Sequence, residues 1–369
     1  MIQYKKNWEE SIQRFDAWFH AQKTERPLMN LLVSREESEF PDGFHLEEPF
    51  DDAEDKFLNT EKNIVRVKNY YNRCEPVCEA FPQFSMDLGA GSMALYLGSQ
   101  PTFEFETLWF SHFVEDYNKS LPLRFDPENF WWKKHLEILK KQKELSKDTD
   151  IMVCIPDIIE NIDIVSAIRD PQQCCFDIYD YPDELMCALN QISDMYMNYY
   201  DEMFNIVKTP DNVSAYTVFS IAGTGKTAKI QCDLGALLSP DAFDEFVIPG
   251  LKRQCDELDN TLFHLDGPEC LVHVDSLMKI SNLNALQWTP GVRNELGGSE
   301  RWFDLYRKVR KADKGLWISL EYYTPKDAIE AADRIVRTIG PAGLYFHFPV
   351  MNRVMADELI IKAENEWKC

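Results

Sequence analysis

The sequence predicts an α/β fold, a single closed (β/α)8 TIM barrel with an N-terminal helical elaboration, and three observations carry that expectation. Short apolar, β-prone runs alternate with amphipathic helical stretches through the second half of the chain. The runs are continuously apolar rather than alternating, which marks strands covered on both faces and hence a parallel sheet. About eight such runs occur, the number that closes a barrel. An open doubly wound sheet is the rival arrangement.

Taken in order, the opening MIQYKKNWEESIQRFDAWF is charged throughout and lacks the apolar stretch of a signal peptide. RPLMNLLVS (26–34) reads as the first strand, so 1–80 form the helical elaboration with the first barrel strand and 81–369 the rest of the barrel. PQFSMDLG (82–89) is the second strand, and IMVCIPD (151–157) the third, followed by helical DIIENIDIVSAIRD. VSAYTVFS (213–220) is a further strand, and AKIQCDLG after Thr227 is strand-like. SPDAFDEFVIPGLKRQCDEL (239–258) opens with a Ser-Pro-Asp helix start and sets Phe243, Phe246, Val247 and Leu251 at helical spacing. TLFHLDG (261–267), NALQWTPG (284–291), GLWISLEYY (315–323) and GLYFHFPV (343–350) complete the strands, each followed by a helical stretch. In one of these, Thr324 caps the start, Pro325 follows, and Gly340 ends the helix. No repeat and no Pro/Gly/Ser-rich linker divides the chain.

Bulk composition agrees. A length of 369 residues suits one large barrel, and 45% hydrophobic residues supply its core. A formal charge of −23 repels phosphate backbones and anionic lipid heads, which excludes nucleic-acid and membrane-surface binding. No apolar run approaches the roughly 18 residues of a membrane span. The ten cysteines form no disulfide framework and read as reduced thiols of a cytoplasmic protein. Cys74 and Cys78 lie four apart on a predicted helix, without the further ligands that a zinc site needs. AGTGKT (222–227) imitates a phosphate loop, but that motif needs Gly at 220, which is Ser220. Homodimerisation is left open.

In a barrel, functional side chains belong at the C-terminal ends of strands. Asp87, Asp157, His264, Asp266, Gln287, Trp288, Glu321, Tyr322 and His347 fall there. His264 and Asp266 are two apart on a strand and share a face, so they can hold one cation or make an acid–base pair. The plainer alternative is a buried histidine bonded to a turn aspartate. Glu321 is a candidate base or ligand, with a salt bridge to an arginine as its structural alternative. Trp109, Trp288, Tyr322 and Tyr323 are candidate walls for an apolar ligand, or simply core. His273 reads as a surface helix residue. Asp157 and Arg169 read as a pair.

Several stretches resemble the uroporphyrinogen decarboxylase superfamily, which includes zinc-dependent, corrinoid-linked methyltransferases. They are FSMDLGAGSMALYLGSQPTFEFETLWF, DIIENIDIVSAIRDPQQCCFDIYDYPDEL, the Leu-Ser-Pro segment DLGALLSPDAFDEFVIPGLKRQCDEL, then FHLDG and LNALQW, within residues 80–350. The resemblance implies a TIM-barrel enzyme. On the decarboxylase side, Arg26, Pro27 and Arg35 are kept, so Arg35 is an implied substrate contact. The second arginine is missing, and Glu36, Glu37 and Glu39 add negative charge. Asp87 matches the family's substrate-orienting aspartate, shifted by one residue. On the methyltransferase side, the family's His-x-Cys is replaced by His264-Leu265-Asp266, and His347 stands near its later cysteine ligand. The implied ligand set is therefore His264, Asp266, His347 and Glu321, holding a divalent metal with zinc first and manganese or iron also compatible. Asp87, His264, Asp266 and Glu321 become the catalytic candidates. Arg35, Trp109, Asp157, Gln287, Trp288 and Tyr322 become the substrate-binding candidates. The expected function is metal-assisted methyl transfer on a small organic substrate, with a separate corrinoid protein as partner. A metal-free decarboxylase of tetrapyrrole biosynthesis and a non-catalytic small-molecule or corrinoid binder are the alternatives.

Overall fold

A computed structural model describes residues 2–369. Eight strands make up its barrel: β1 (Leu28–Ser34), β2 (Gln83–Phe84), β3 (Met152–Val153), β4 (Thr227–Gln231), β5 (Asn260–Asp266), β6 (Ala285–Thr289), β7 (Gly315–Ser319) and β8 (Leu344–His347). Parallel ladders join β4 to β5, β5 to β6, β6 to β7, β7 to β8 and β8 to β1. β2 and β3 form a separate short parallel pair. Ile155 then bridges Tyr216, and Thr227 N donates to Ser214 Oγ at 3.0 Å, which links this pair onward to β4. The expected TIM barrel is present.

Period-two geometry explains the apolar runs. In β5, Leu262, His264 and Asp266 share one face, while Phe263 and Leu265 share the other, buried one. The helix Pro325–Ile339 keeps its predicted bounds. The Thr324 side chain accepts from Asp327 N, and Gly340 takes a positive φ of 92°.

The N-terminal helix Trp8–Phe19 seals the bottom of the barrel. Trp18 is 1% exposed, donates from Nε1 to Gly343 O at 2.8 Å and meets the Tyr345 ring edge-on. A side chain at Gly315 would overlap the Trp18 indole at 2.7 Å, so this start of β7 has room only for glycine. Full burial of such a side chain stabilises by about 1.5–3 kcal/mol.

Three sequence expectations need correction. Cys74–Cys78 is a strand, antiparallel to β1, because it adds to the sheet edge after the helix Thr60–Arg73 ends. VSAYTVFS is not one strand: it stops at Tyr216, turns, and returns as Ile221–Thr224. His273 is 1% exposed, stacked on Phe243 and bonded through Nε2 to Gly235 O at 2.9 Å.

The returning turn lies against side chains from several strands. Phe219 and Ser220 adopt φ of 69° and 49°, which costs about 1–2 kcal/mol per non-glycine residue. Trp317 Nε1 donates to Phe219 O at 3.0 Å, Tyr345 OH to Ser220 O at 2.8 Å, and Gln83 Nε2 to Ser220 Oγ at 3.0 Å. Donors from β7, β8 and β2 thus hold the turn and offset its strain.

Candidate active site

The top of β5 delivers His264 and Asp266 on one face, as the spacing requires. Asp233 joins them from the turn after β4. One ligand atom from each of Asp233, His264 and Asp266 lies within 4.8 Å of the others. His264 is half-buried, and both aspartates reach solvent.

A hydrogen-bond chain sets the His264 ring. Gln287, opposite His264 in the β5–β6 ladder, donates from Nε2 to Thr289 Oγ1 at 2.8 Å. That leaves Gln287 Oε1 as an acceptor facing His264 Nδ1. Nδ1 therefore carries the proton and Nε2 keeps its lone pair, the tautomer that a metal ligand needs. Burial, then the Lys229 ammonium, lower the His264 pKa and keep the ring neutral. Burial raises the Asp266 pKa, with Asp233 and Glu269 adding to the rise against the opposing effect of His264. Two oxygens and one imidazole nitrogen, in acidic surroundings with a side open to solvent, fit a divalent cation of the zinc, manganese or iron type.

Glu321 and His347 do not join that cluster. They pair with each other instead, His347 Nδ1 lying 3.2 Å from Glu321 Oε2. The contact is within ion-pair reach but off the line of a hydrogen bond, so Nδ1 has no directional partner. His347 holds the Glu321 pKa below the usual carboxylate range. Trp317 and Phe219 stand between the two groups: Trp317 meets His347, Phe219 meets Trp317, and His264 meets Phe219, with ring centroids 5.3, 5.1 and 5.0 Å apart. The implied four-residue ligand set is therefore divided, and the third group beside His264 and Asp266 is Asp233.

A charged group lies beside the cluster. Lys229 on β4 is buried and pairs with Asp157 at 2.8 Å, and Tyr216 OH donates to the same carboxylate at 2.9 Å. Arg169 pairs with Asp177 rather than with Asp157, because Asp177 lies on the next helix, two turns along the chain. Asp87 accepts from Gly89 N at 3.0 Å, and burial with the nearby Asp157 raises its pKa to about 6.

Other candidates are placed elsewhere. Trp288 alternates away from Gln287, is fully buried and packs edge-on against Trp302. Trp109 sits on the antiparallel hairpin Pro101–Phe103 and Leu108–Phe110, 59% exposed. Tyr322 points to solvent at 78% exposure. Arg35 is tied to Glu75 at 3.6 Å and to Tyr71 O at 2.9 Å. A cavity of about 570 Å³ opens beside β2, lined in part by Tyr70, Tyr71, Arg73, Gln83, Ser85 and Thr217. A larger groove of about 900 Å³, between the helices Thr60–Arg73 and Phe130–Ser146, holds none of these groups.

Sequence reasoning missed Asp233, Lys229 and Tyr216. The signal for Asp233 was present, since AKIQCDLG ends a strand-like run in an acidic residue. It was obscured because VSAYTVFS, just upstream, already filled a strand position.

Among solved structures, the chain is similar to a methyltransferase from Methanosarcina mazei, with 13% identity and a TM-score of 0.57 over 96% of this chain and 98% of that one. It is also similar to a B12-independent methionine synthase from Shewanella sp. W3-18-1, with 9% identity and a TM-score of 0.46 over 92% and 97% of the two chains. No family model and no curated protein matches the sequence. The first likeness shows a shared fold. It bears out the barrel implied by the resemblance to the uroporphyrinogen decarboxylase superfamily. Among the described residues, no helix is long and apolar enough to cross a membrane.

Proposed function

We propose that this protein is a methyl-transferring enzyme of the uroporphyrinogen decarboxylase superfamily that holds a divalent cation, zinc first, on Asp233, His264 and Asp266. The observation that carries the reading is the convergence of these three side chains at the ends of adjacent strands, with Gln287 Oε1 placed to accept from His264 Nδ1. The near full-length fold shared with a methyltransferase supports the reaction class. A cation there supplies Lewis acidity, lowering the pKa of a bound thiol, hydroxyl or water. The chain's own residues do the rest. Gln287 fixes the imidazole, Asp233 and Asp266 supply anionic oxygens, and the Phe219 and Trp317 rings exclude water from one side. The substrate is a small organic molecule, and the methyl carrier is a separate corrinoid protein in the cytoplasm.

A second reading, metal-free decarboxylation, is favoured by one feature. Asp87 is a half-buried carboxyl whose pKa is raised to about 6, suited to holding a proton beside a substrate. Elemental analysis of untagged protein separates the two. One divalent ion per chain, lost in His264→Ala, is the expected result. Metal-free protein that releases CO2 from a pyrrole carboxylate sinks the first reading. Ligand binding with no turnover of any kind points to a non-catalytic binder.

A further inference from the structure

The segment that carries Asp233 is held by two side chains from a single turn after β3. Asn161 Nδ2 donates to Gln231 O at 2.7 Å. Asp163 accepts from Asp233 N at 2.8 Å and from Leu234 N at 2.9 Å, one amide on each carboxylate oxygen. Gln231 Nε2 is 2.8 Å from Asp233 Oδ2 and 3.4 Å from Asp163 Oδ2, so it ties the clamp to the ligand carboxylate. Asn161 and Asp163 are 2% and 6% exposed.

The arrangement is costly as simple fold support. Asn161 sits at φ 63°, in the left-handed region, and its side chain also accepts from Asp163 N at 3.1 Å. Among the described residues Asp163 makes no salt bridge, although a buried carboxylate normally finds a cationic partner. It uses its charge on the backbone of Asp233 and Leu234 instead, and this sets two carboxylates near one another.

We propose that Asn161 and Asp163 are positioning residues for the cation site. They fix the backbone at 231–234 so that the Asp233 carboxylate stands opposite His264 and Asp266. This rests on the cation reading above. The role is distinct from that of a ligand: neither side chain belongs to the three-residue cluster, and both act through Asp233.

The test uses full-length protein, Zn(II) in competition with a chromogenic chelator, Co(II) absorption, and hydrogen exchange of the peptide spanning 231–237. Asp163→Asn removes one amide acceptor while keeping the shape, and Asn161→Gly keeps the left-handed backbone while removing the side-chain bond. Glu160→Gln is the control, since Glu160 is buried one residue before Asn161 but bonds Ser193. Asp163→Asn and Asn161→Gly are each expected to weaken Zn(II) binding about 10- to 100-fold. They should also alter the Co(II) spectrum and speed exchange at 233 and 234, while Glu160→Gln changes none of these. Wild-type affinity and Co(II) spectrum in both variants overturn the role, even if exchange speeds up. Wild-type protein that takes up neither Zn(II) nor Co(II) overturns the cation reading, and this role with it.

Discussion

The two sides of the barrel mouth solve opposite electrostatic problems. On the β4–β5 side, Asp233 and Asp266 stand close together with Glu269 nearby, and the carboxyl pKa of Asp266 is raised. On the β7–β8 side, one carboxylate faces one imidazole, and the pKa of Glu321 is lowered. The first group gathers acids around one imidazole, whereas the second sets a single carboxylate beside a single imidazole. The wall of Phe219 and Trp317 keeps His347 from serving the acidic group, although both histidines sit on inward strand faces. A histidine near a carboxylate in sequence is thus an ambiguous sign. What decides its role is which side chains the fold sets around it.

The comparison breaks most sharply in paired histidine variants. His264→Ala should abolish stoichiometric Zn(II), with at least about a 100-fold loss of affinity, whereas His347→Ala should retain it. Equal loss in both would join the two groups into one site.

A pH titration of stability without metal sharpens the contrast. Asp87 and Asp163 each have folded pKa values of about 6, above the usual carboxylate value near 4. The folded state therefore binds more protons than the unfolded state between roughly pH 4 and 6, and these groups make stability fall as pH rises through that window. Glu321 has the opposite sign. Its contribution is present above the unfolded carboxylate pKa and is lost as pH falls through its depressed folded value. Chemical denaturation across pH 3–8 should show Asp87→Asn removing part of the first slope and leaving the second. An unchanged profile would mean that burial does not perturb Asp87.

The smallest effect is expected at Gln287. Gln287→Leu removes the acceptor that fixes the His264 tautomer, so Zn(II) affinity should fall about tenfold while metal is still bound at saturation. Calorimetry showing no change would mean that the ring needs no such support.

The barrel was legible in the sequence because each strand run and its helix are local patterns. Apolar runs with period-two faces, Thr324 and Gly340 as helix signals, and polar residues at strand ends all follow from chain-local geometry. His264 with Asp266 was legible for the same reason, since two residues of a strand must share a face. Which residues meet that pair was not, although Gln287 was already a strand-end candidate. Asp233 arrives from another strand, Gln287 across a ladder, and Asp163 from a turn some seventy residues upstream of Asp233. The division between the two histidines depends on Phe219, whose left-handed backbone turns a predicted strand back on itself. Such choices are made by packing and by hydrogen bonds between distant segments, and no local periodicity encodes them.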